Sequence, residues 1–307
     1  MIGDRSRRDF TDPRQAAARW VQRVQRDTNR TQGVKRIFGC ELAMCLALAR
    51  VSGGQTADSA THKTFFIPRD AAYAAAAIGI SAGLTVFDPR IEHFFQDTTF
   101  YHVREGRRLD DVFTKVNETT ITVGGLGVYL VARLTGHQTI ADVTFHAAEA
   151  VAAASLTSQV IRGPLGRTRP QNADRPYDDQ YEFHFFKGFT HFQQRAFPSI
   201  HSASGFAAAS ALVAEVKRRD PSAVWYVAVP AYLVAMTPGL SRMYLGQHWA
   251  SDIVSGAFVG TFYGWRIVNY SHQHPTTRID RIFLGTTEHL RIGASPTGAS
   301  LGWGTSF

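Results

Sequence analysis

"SRMYLGQHWASDIVSGAFVGTFYGWRIV", residues 241–268, places Arg242, His248 and Asp252 in an otherwise apolar, glycine-dotted run. Polar side chains in such surroundings cost free energy unless they are paired. Either these three satisfy one another or they meet something charged. His248 and Asp252 are four apart, so on a helix they share a face. The carboxylate can then accept from one imidazole nitrogen, fixing the tautomer and leaving the other nitrogen free. The same spacing also fits a plain surface pair, or half of a metal site for which no third ligand stands nearby.

Outward from this stretch the chain reads as helices. Residues 252–268 form one, and 71–87, 120–134, 139–162, 202–219 and 223–236 form others, with Gly163-Pro164 and Asp220-Pro221 as stop signals. Their Ala- and Gly-rich faces permit close packing. The expected fold is all-α, a compact bundle of about six core helices over residues 70–270. A membrane span needs about 20 apolar residues with few charges. Arg133, Asp142, Glu149, Glu215 and Lys217 interrupt the runs, and mean hydropathy is −0.14, so core helices of a soluble bundle are expected. The runs 71–87 and 223–240 are the ones apolar enough to contact a membrane. Residues 163–200 form a long aromatic loop, and a loop of that length is usually functional. The tail 271–307 ends in an alternation of Leu301, Trp303 and Phe307 that suggests a short C-terminal β-hairpin. A single hairpin makes no outer-membrane barrel.

The 307 residues are 44% hydrophobic, which suits a globular core, and carry a net charge of +8 with a pI of about 9.7. That charge favours an anionic partner. Residues 1–36 mix charges without an apolar period and read as disordered rather than as a nucleic-acid arm, so no nucleic acid is expected. Residues 37–69 hold a signal-like apolar run and a linker. Both cysteines, Cys40 and Cys45, lie in that run, which excludes a disulfide framework and a thiolate metal cage. Cleavage near Ala57 would leave a cysteine-free chain suited to a periplasm. The expectation is therefore export, to a periplasmic or membrane-associated position with the site on the outer side.

Two further segments carry chemistry. "FPSIHSAS" (197–204) puts Ser199 and His201 at a helix start, where first-turn N–H groups and the dipole favour an anion. "IRGPLGRTRP" (161–170) supplies Arg162, Arg167 and Arg169. Guanidinium forks match phosphate oxygens bidentately, a tautomer-fixed histidine is a nucleophile or base, and a second histidine can be the acid. That set describes a phosphoryl-transfer site without a metal.

These three segments resemble the type-2 phosphatidic acid phosphatase superfamily, which also contains bacterial class A acid phosphatases and vanadium-dependent haloperoxidases. Its pattern runs Lys-x6-Arg-Pro, Pro-Ser-Gly-His, then Ser-Arg-x5-His-x3-Asp. Here it reads "RGPLGRTRP", "PSIH" and "SRMYLGQHWASD", and the resemblance covers about 140–270. Arg162 stands where Lys is usual, leaving Arg167 as a rival for its role, and Ile200 stands where Gly is usual. If that backbone needs a positive φ, a β-branched residue is strained there; if only the N–H is needed, Ile supplies one.

The resemblance implies that His248 attacks phosphorus to form a phosphohistidine, that Asp252 orients it, and that His201 protonates the leaving oxygen and then activates water. Arg162, Arg169 and Arg242, with the Ser199 hydroxyl and the Ile200 N–H, would hold the phosphoryl oxygens. The implied function is a metal-independent acid or lipid phosphate phosphatase acting on a phosphate monoester or lipid phosphate, with no cofactor and possible partners limited to that substrate and a membrane. A vanadate-dependent haloperoxidase, a phosphotransferase and a non-catalytic anion-binding scaffold are the alternatives. Among the other histidines, His146 reads as paired with Glu149 in the core, His184 and His191 as residues of the aromatic loop, and His272 and His274 as a solvated helix end.

Overall fold

The computed structural model describes residues 64–97, 113, 115, 118–274, 278–284, 290–295 and 298–303. The segment 1–36 and the signal-like run lie outside the described residues.

Helix α1 (Pro68–Leu84) opens with Pro68 in its first turn, where the missing N–H costs nothing, and with the Asp70 carboxylate accepting from the Ile67 N–H at 2.8 Å. A single 3-10 turn (Thr85–Phe87) leads into α2 (Asp88–Asp97). Helices α3 (Glu118–Leu134) and α4 (Gln138–Leu165) follow. The aromatic loop, with three short 3-10 turns, runs to α5 (Ile200–Arg219). Then come α6 (Val224–Tyr244), α7 (Ala250–Gln273) and the short α8 (Arg278–Phe283). At the C-terminal end β1 (Leu290–Ser295) pairs antiparallel with β2 (Gly298–Trp303), Leu290 opposite Trp303.

Helix α5 is the axis of the bundle. It packs on α3, α4, α6 and α7, and its small and apolar residues are buried on nearly every side, from Ile200 through Glu215. Close approach to α7 depends on Gly256, Gly260 and Gly264, spaced one turn apart on the contact face. A Cβ at Gly256 would overlap the Ser199 carbonyl oxygen, and one at Gly260 the Ala203 carbonyl oxygen. The α7 backbone is thereby laid directly on the start of α5, where the site lies.

Two boundaries and one helix differ from the sequence reading. Helix α4 continues through Gly163-Pro164 and ends only at Gly166, whose φ of +60° makes a left-handed cap with its N–H on the Arg162 carbonyl at 3.1 Å. Helix α6 runs past Pro230 and Pro238 to Tyr244 because Tyr232, Ala235, Met236, Gly239 and Met243 are packed away, and that packing outweighs the lost backbone bonds. The sequence reading also left α2 out. Its Ile91 and Phe95 pack against Met243, Ala250 and Ile253. Gln96 donates to the Met243 and Tyr244 carbonyls at 3.2 and 3.3 Å, capping the end of α6.

The outer faces are apolar. The segments Pro68–Gln96 and Pro221–Tyr244 are long and apolar enough to cross a membrane, and only 6% and 33% of their apolar windows are buried. They expose Ile78, Ile80, Trp225, Tyr226, Leu233 and Val234 rather than serving as core helices, and α3 exposes Val123, Leu126, Leu130 and Val131 in the same manner.

Gly260→Val is expected to force α7 off the Ala203 carbonyl and to lower stability by about 1–3 kcal/mol, read as a fall in unfolding temperature. An unchanged unfolding temperature would contradict the close contact.

Candidate active site

The loop after α4 is anchored by Arg167. Its guanidinium is buried and bonds the Asp252 carboxylate at 2.5 Å, the Asp88 carboxylate at 2.8 Å, the Ser251 hydroxyl at 2.8 Å and the Gln180 carbonyl at 2.8 and 3.0 Å. Arg167 therefore does not compete with Arg162 for an anion, because its donors are already committed to two carboxylates and a carbonyl. Asp88 also accepts from the Ser251 N–H and hydroxyl at 2.9 and 2.5 Å. Neither Asp88 nor this supporting role was identified from the sequence.

Gly246, with φ +61°, ends the turn after α6, and Trp249 is extended, so α7 starts only at Ala250. His248 consequently precedes the helix, and its four-residue spacing from Asp252 is not a helical pairing. The contact that fixes its tautomer is with the Ala196 carbonyl, 2.7 Å from Nδ1, whereas the Asp252 carboxylate lies 3.6 Å away. Nδ1–H donates to Ala196, and Nε2 keeps its lone pair. Asp252 instead accepts from the Trp249 N–H at 2.8 Å, capping α7, and its own carbonyl accepts the Ser199 N–H at 3.0 Å. Asp252 holds the two helix starts in register around His248.

Ser199 is the N-cap of α5, its hydroxyl accepting from the Ser202 N–H at 3.4 Å. Ile200 is the first helical residue and is buried. Among the described residues only Tyr177 and Phe186 combine a side chain with a positive φ, so Ile200 is unstrained and a glycine is not required there. His201 lies in the first turn, its ring 6.3 Å from that of His248 between centroids.

The cations gather on this pair. Arg242 donates from Nη2 to His201 Nε2 at 3.0 Å and from Nη1 to Gln247 Oε1 at 2.6 Å. The same Gln247 oxygen accepts from Arg169 Nη1 at 3.2 Å, so Gln247, a residue that sequence reasoning missed, fixes two guanidiniums relative to each other. Arg169 also lies over the Phe192 ring at 4.0 Å. Arg162 and Arg169 are buried, the Nε of each has no hydrogen-bond partner, and among the described residues neither is ion-paired with a carboxylate. Burial and the repulsion of neighbouring guanidiniums push both down to about 10. Buried donors of one sign without acceptors are costly. The arrangement is complementary to an anion with several oxygens.

The same field acts on the histidines. Burial, then Arg242, His248, Arg169 and Arg162, pushes His201 down to about 2. Burial and then Arg169, Arg162 and Arg242 hold His248 well below the usual imidazole range, against the pull of the Ala196 carbonyl. Both rings are neutral in the free protein. His201 Nδ1 is buried without a partner. The loop histidines stay within the loop, His184 on Glu182 at 2.7 Å and His191 on Thr190 at 2.8 Å.

Residues 144–275 match the family model described as the PAP2 superfamily. That segment is similar to a PAP2 superfamily domain. It contains all of the residues just described except Asp88. The chain is 30% identical over 119 residues to a lipid A 4'-phosphatase of Bacteroides thetaiotaomicron, covering 38% of this chain and 48% of that protein. It is 42% identical over 69 residues to a lipid A 1-phosphatase of Porphyromonas gingivalis, covering 22% of this chain and 15% of that protein. The chain thus matches about half of the first relative and a small part of the second. Among solved structures, a transmembrane PAP2 type phosphatidylglycerolphosphate phosphatase from Bacillus subtilis aligns over 68% of this chain and 97% of its own, with a TM-score of 0.44 and 17% identity.

Because the folded-state values of His201 and His248 lie below the ordinary 6.5, these two rings bind more protons in the unfolded chain than in the folded one as pH falls below about 6.5. Stability is then lost on acidification, by up to about 1.4 kcal/mol per pH unit for each ring. Between pH 6.5 and 5 in phosphate-free buffer the wild type is expected to lose stability relative to His201→Asn, because the buried carboxyl groups that oppose the loss, Glu92 and Glu149, are common to both proteins. Identical pH profiles for the two proteins would contradict the buried neutral ring.

Proposed function

We propose that the chain is a metal-independent phosphatase of the PAP2 type, acting on a lipid phosphate through a phosphohistidine on His248. The observation that carries this reading is the pair of buried guanidiniums, Arg162 and Arg169, each with an unpartnered Nε and both close enough to His248 to disfavour its charged form. A phosphoryl group supplies the oxygens that these donors lack, and Arg242 and the first-turn N–H groups of α5 add to its hold. Charge neutralisation falls to the arginines, the task a metal ion performs in other phosphoryl-transfer sites.

The steps follow from the donors and acceptors. His248 Nε2 attacks phosphorus, forming the N–P bond as the bond to the leaving oxygen breaks. Nδ1–H stays on the Ala196 carbonyl, which stabilises the positive charge that develops on the ring. His201 is neutral before substrate arrives. A dianionic phosphate offsets the surrounding guanidiniums, so His201 takes up a proton from solvent and gives it to the leaving oxygen, returning to the neutral form. In the second step a water gives its proton to His201 and attacks phosphorus, releasing inorganic phosphate and restoring His248.

A lipid substrate is favoured by two features. The relatives named above act on lipid A phosphates. The helices beside the site also expose apolar faces, and the loop over it exposes Phe185, Phe186, Phe189 and Phe192. Exposed apolar area of that density fits a membrane surface rather than water. The protein is accordingly proposed to be membrane-associated, with headgroup phosphate entering the arginine cradle from the lipid.

Phosphate release from a lipid monophosphate in mixed micelles containing EDTA is the test. The wild type is expected to turn over, and His248→Ala to fall to background with an unchanged unfolding curve. Undiminished turnover by a correctly folded His248→Ala protein would overturn the assignment.

A further inference from the structure

A second polar cluster lies in the bundle well away from the phosphate cradle. His146 precedes Arg162 on α4 by sixteen residues, or about 24 Å at 1.5 Å per residue. His146 is buried, and its Nδ1 lies 2.5 Å from Glu215 Oε1 on α5. It does not pair with Glu149, as its place on α4 had suggested. Glu215 is also the partner of His272 Nε2, at 2.9 and 3.1 Å, and of Arg219. His272 is therefore not a solvated helix end, and both oxygens of Glu215 are occupied.

The other side of His146 is different. With Nδ1–H donated to Glu215, Nε2 carries a lone pair, and that atom is buried without a partner. One carboxylate oxygen from Glu149 and one from Asp280 on α8 come together with a His146 nitrogen, all within 4.8 Å of one another. Glu149 Oε2 is likewise buried without a partner. His146 Nε2 and Glu149 Oε2 thus lie buried without a donor beside an oxygen of Asp280, an arrangement that a bound cation would satisfy.

We propose that His146, Glu149 and Asp280 bind a divalent first-row transition-metal ion, with Glu215 as the carboxylate that orients His146. One imidazole and two carboxylates suit zinc or manganese. Donors held at about 2.0–2.2 Å from an ion stand roughly 3–4 Å apart, so the cluster needs only a small contraction. His146 and Glu149 lie three apart and share one helix face. The Glu215–His146–metal relay is the usual way in which a ligating imidazole is fixed. The alternative grouping, with Glu215 and His272 as ligands, is disfavoured because the Arg219 guanidinium already neutralises Glu215. The ion would tie α4, α5 and α8 together, and it is too distant to take part in phosphoryl transfer.

The experiment is zinc binding to the whole protein after exhaustive dialysis against chelator. Wild type is expected to take up one Zn2+ per chain with a rise in unfolding temperature, and Glu149→Gln and Asp280→Asn are each expected to weaken binding at least 10-fold. Cobalt substitution of the wild type, which needs no variant, is expected to give a d–d absorption band that zinc abolishes. Absence of uptake and of the cobalt band in the wild type, or wild-type zinc affinity in both folded variants, would overturn the site. Phosphate release in EDTA reports separately on the cradle and is expected to persist.

Discussion

Arg167 is the residue on which the site's construction depends. A guanidinium buried between Asp88 and Asp252 joins α2, the loop after α4 and the start of α7 in one contact. Removing one partner from such a group leaves a buried charge uncompensated, at a cost of about 3–5 kcal/mol. From Asp252 the order spreads further. Its carboxylate caps α7 at Trp249, and its carbonyl takes the Ser199 N–H at the start of α5. The Arg167 carbonyl accepts the Ala196 N–H, so the residue whose carbonyl holds His248 is itself held by the same anchor.

The cradle beside this anchor has the opposite electrostatic character. Arg167 has two carboxylate partners, whereas Arg162 and Arg169 have none among the described residues. The protein thus separates a cation held by carboxylates from the cations proposed to bind phosphate. Glycines on α7 make the separation spatially feasible, since they bring the α7 backbone against the start of α5, which carries His201. Uncompensated arginines lower the stability of the free fold, a common consequence of a preorganised site.

Much of this was legible in the sequence, and the exceptions have physical causes. The spacing of Arg242, His248 and Asp252, with "PSIH" and the Arg162–Arg169 segment, located the cradle and the two helix starts. The spacing could not show that Gly246 breaks the helix before His248, so the imidazole's partner was assigned to Asp252 instead of a backbone carbonyl. Arg167 and Arg162 are equivalent as sequence; only the distant Asp88 distinguishes them. The Gly163-Pro164 signal placed the end of α4 too early, and α6 was ended at residue 236, because tertiary packing compensated for the missing backbone bonds. His146 and Glu149 were paired by proximity along α4, while the actual partner of His146, Glu215, lies 69 residues away. Charges within the apolar runs argued for a soluble bundle, yet Asp142, Glu215 and Arg219 satisfy one another and leave the outer faces apolar.

The central claim is covalent catalysis by His248. Its most direct measurement uses His201→Asn with 32P-labelled p-nitrophenyl phosphate, quenched in alkali. The good leaving group needs no acid, so the N–P bond forms, and loss of His201 slows its hydrolysis. The account predicts label on the protein that is stable to alkali, labile to acid and located at His248. Phosphate release by this variant with no labelled protein at any time, under conditions in which release remains slower than the quench, would contradict it.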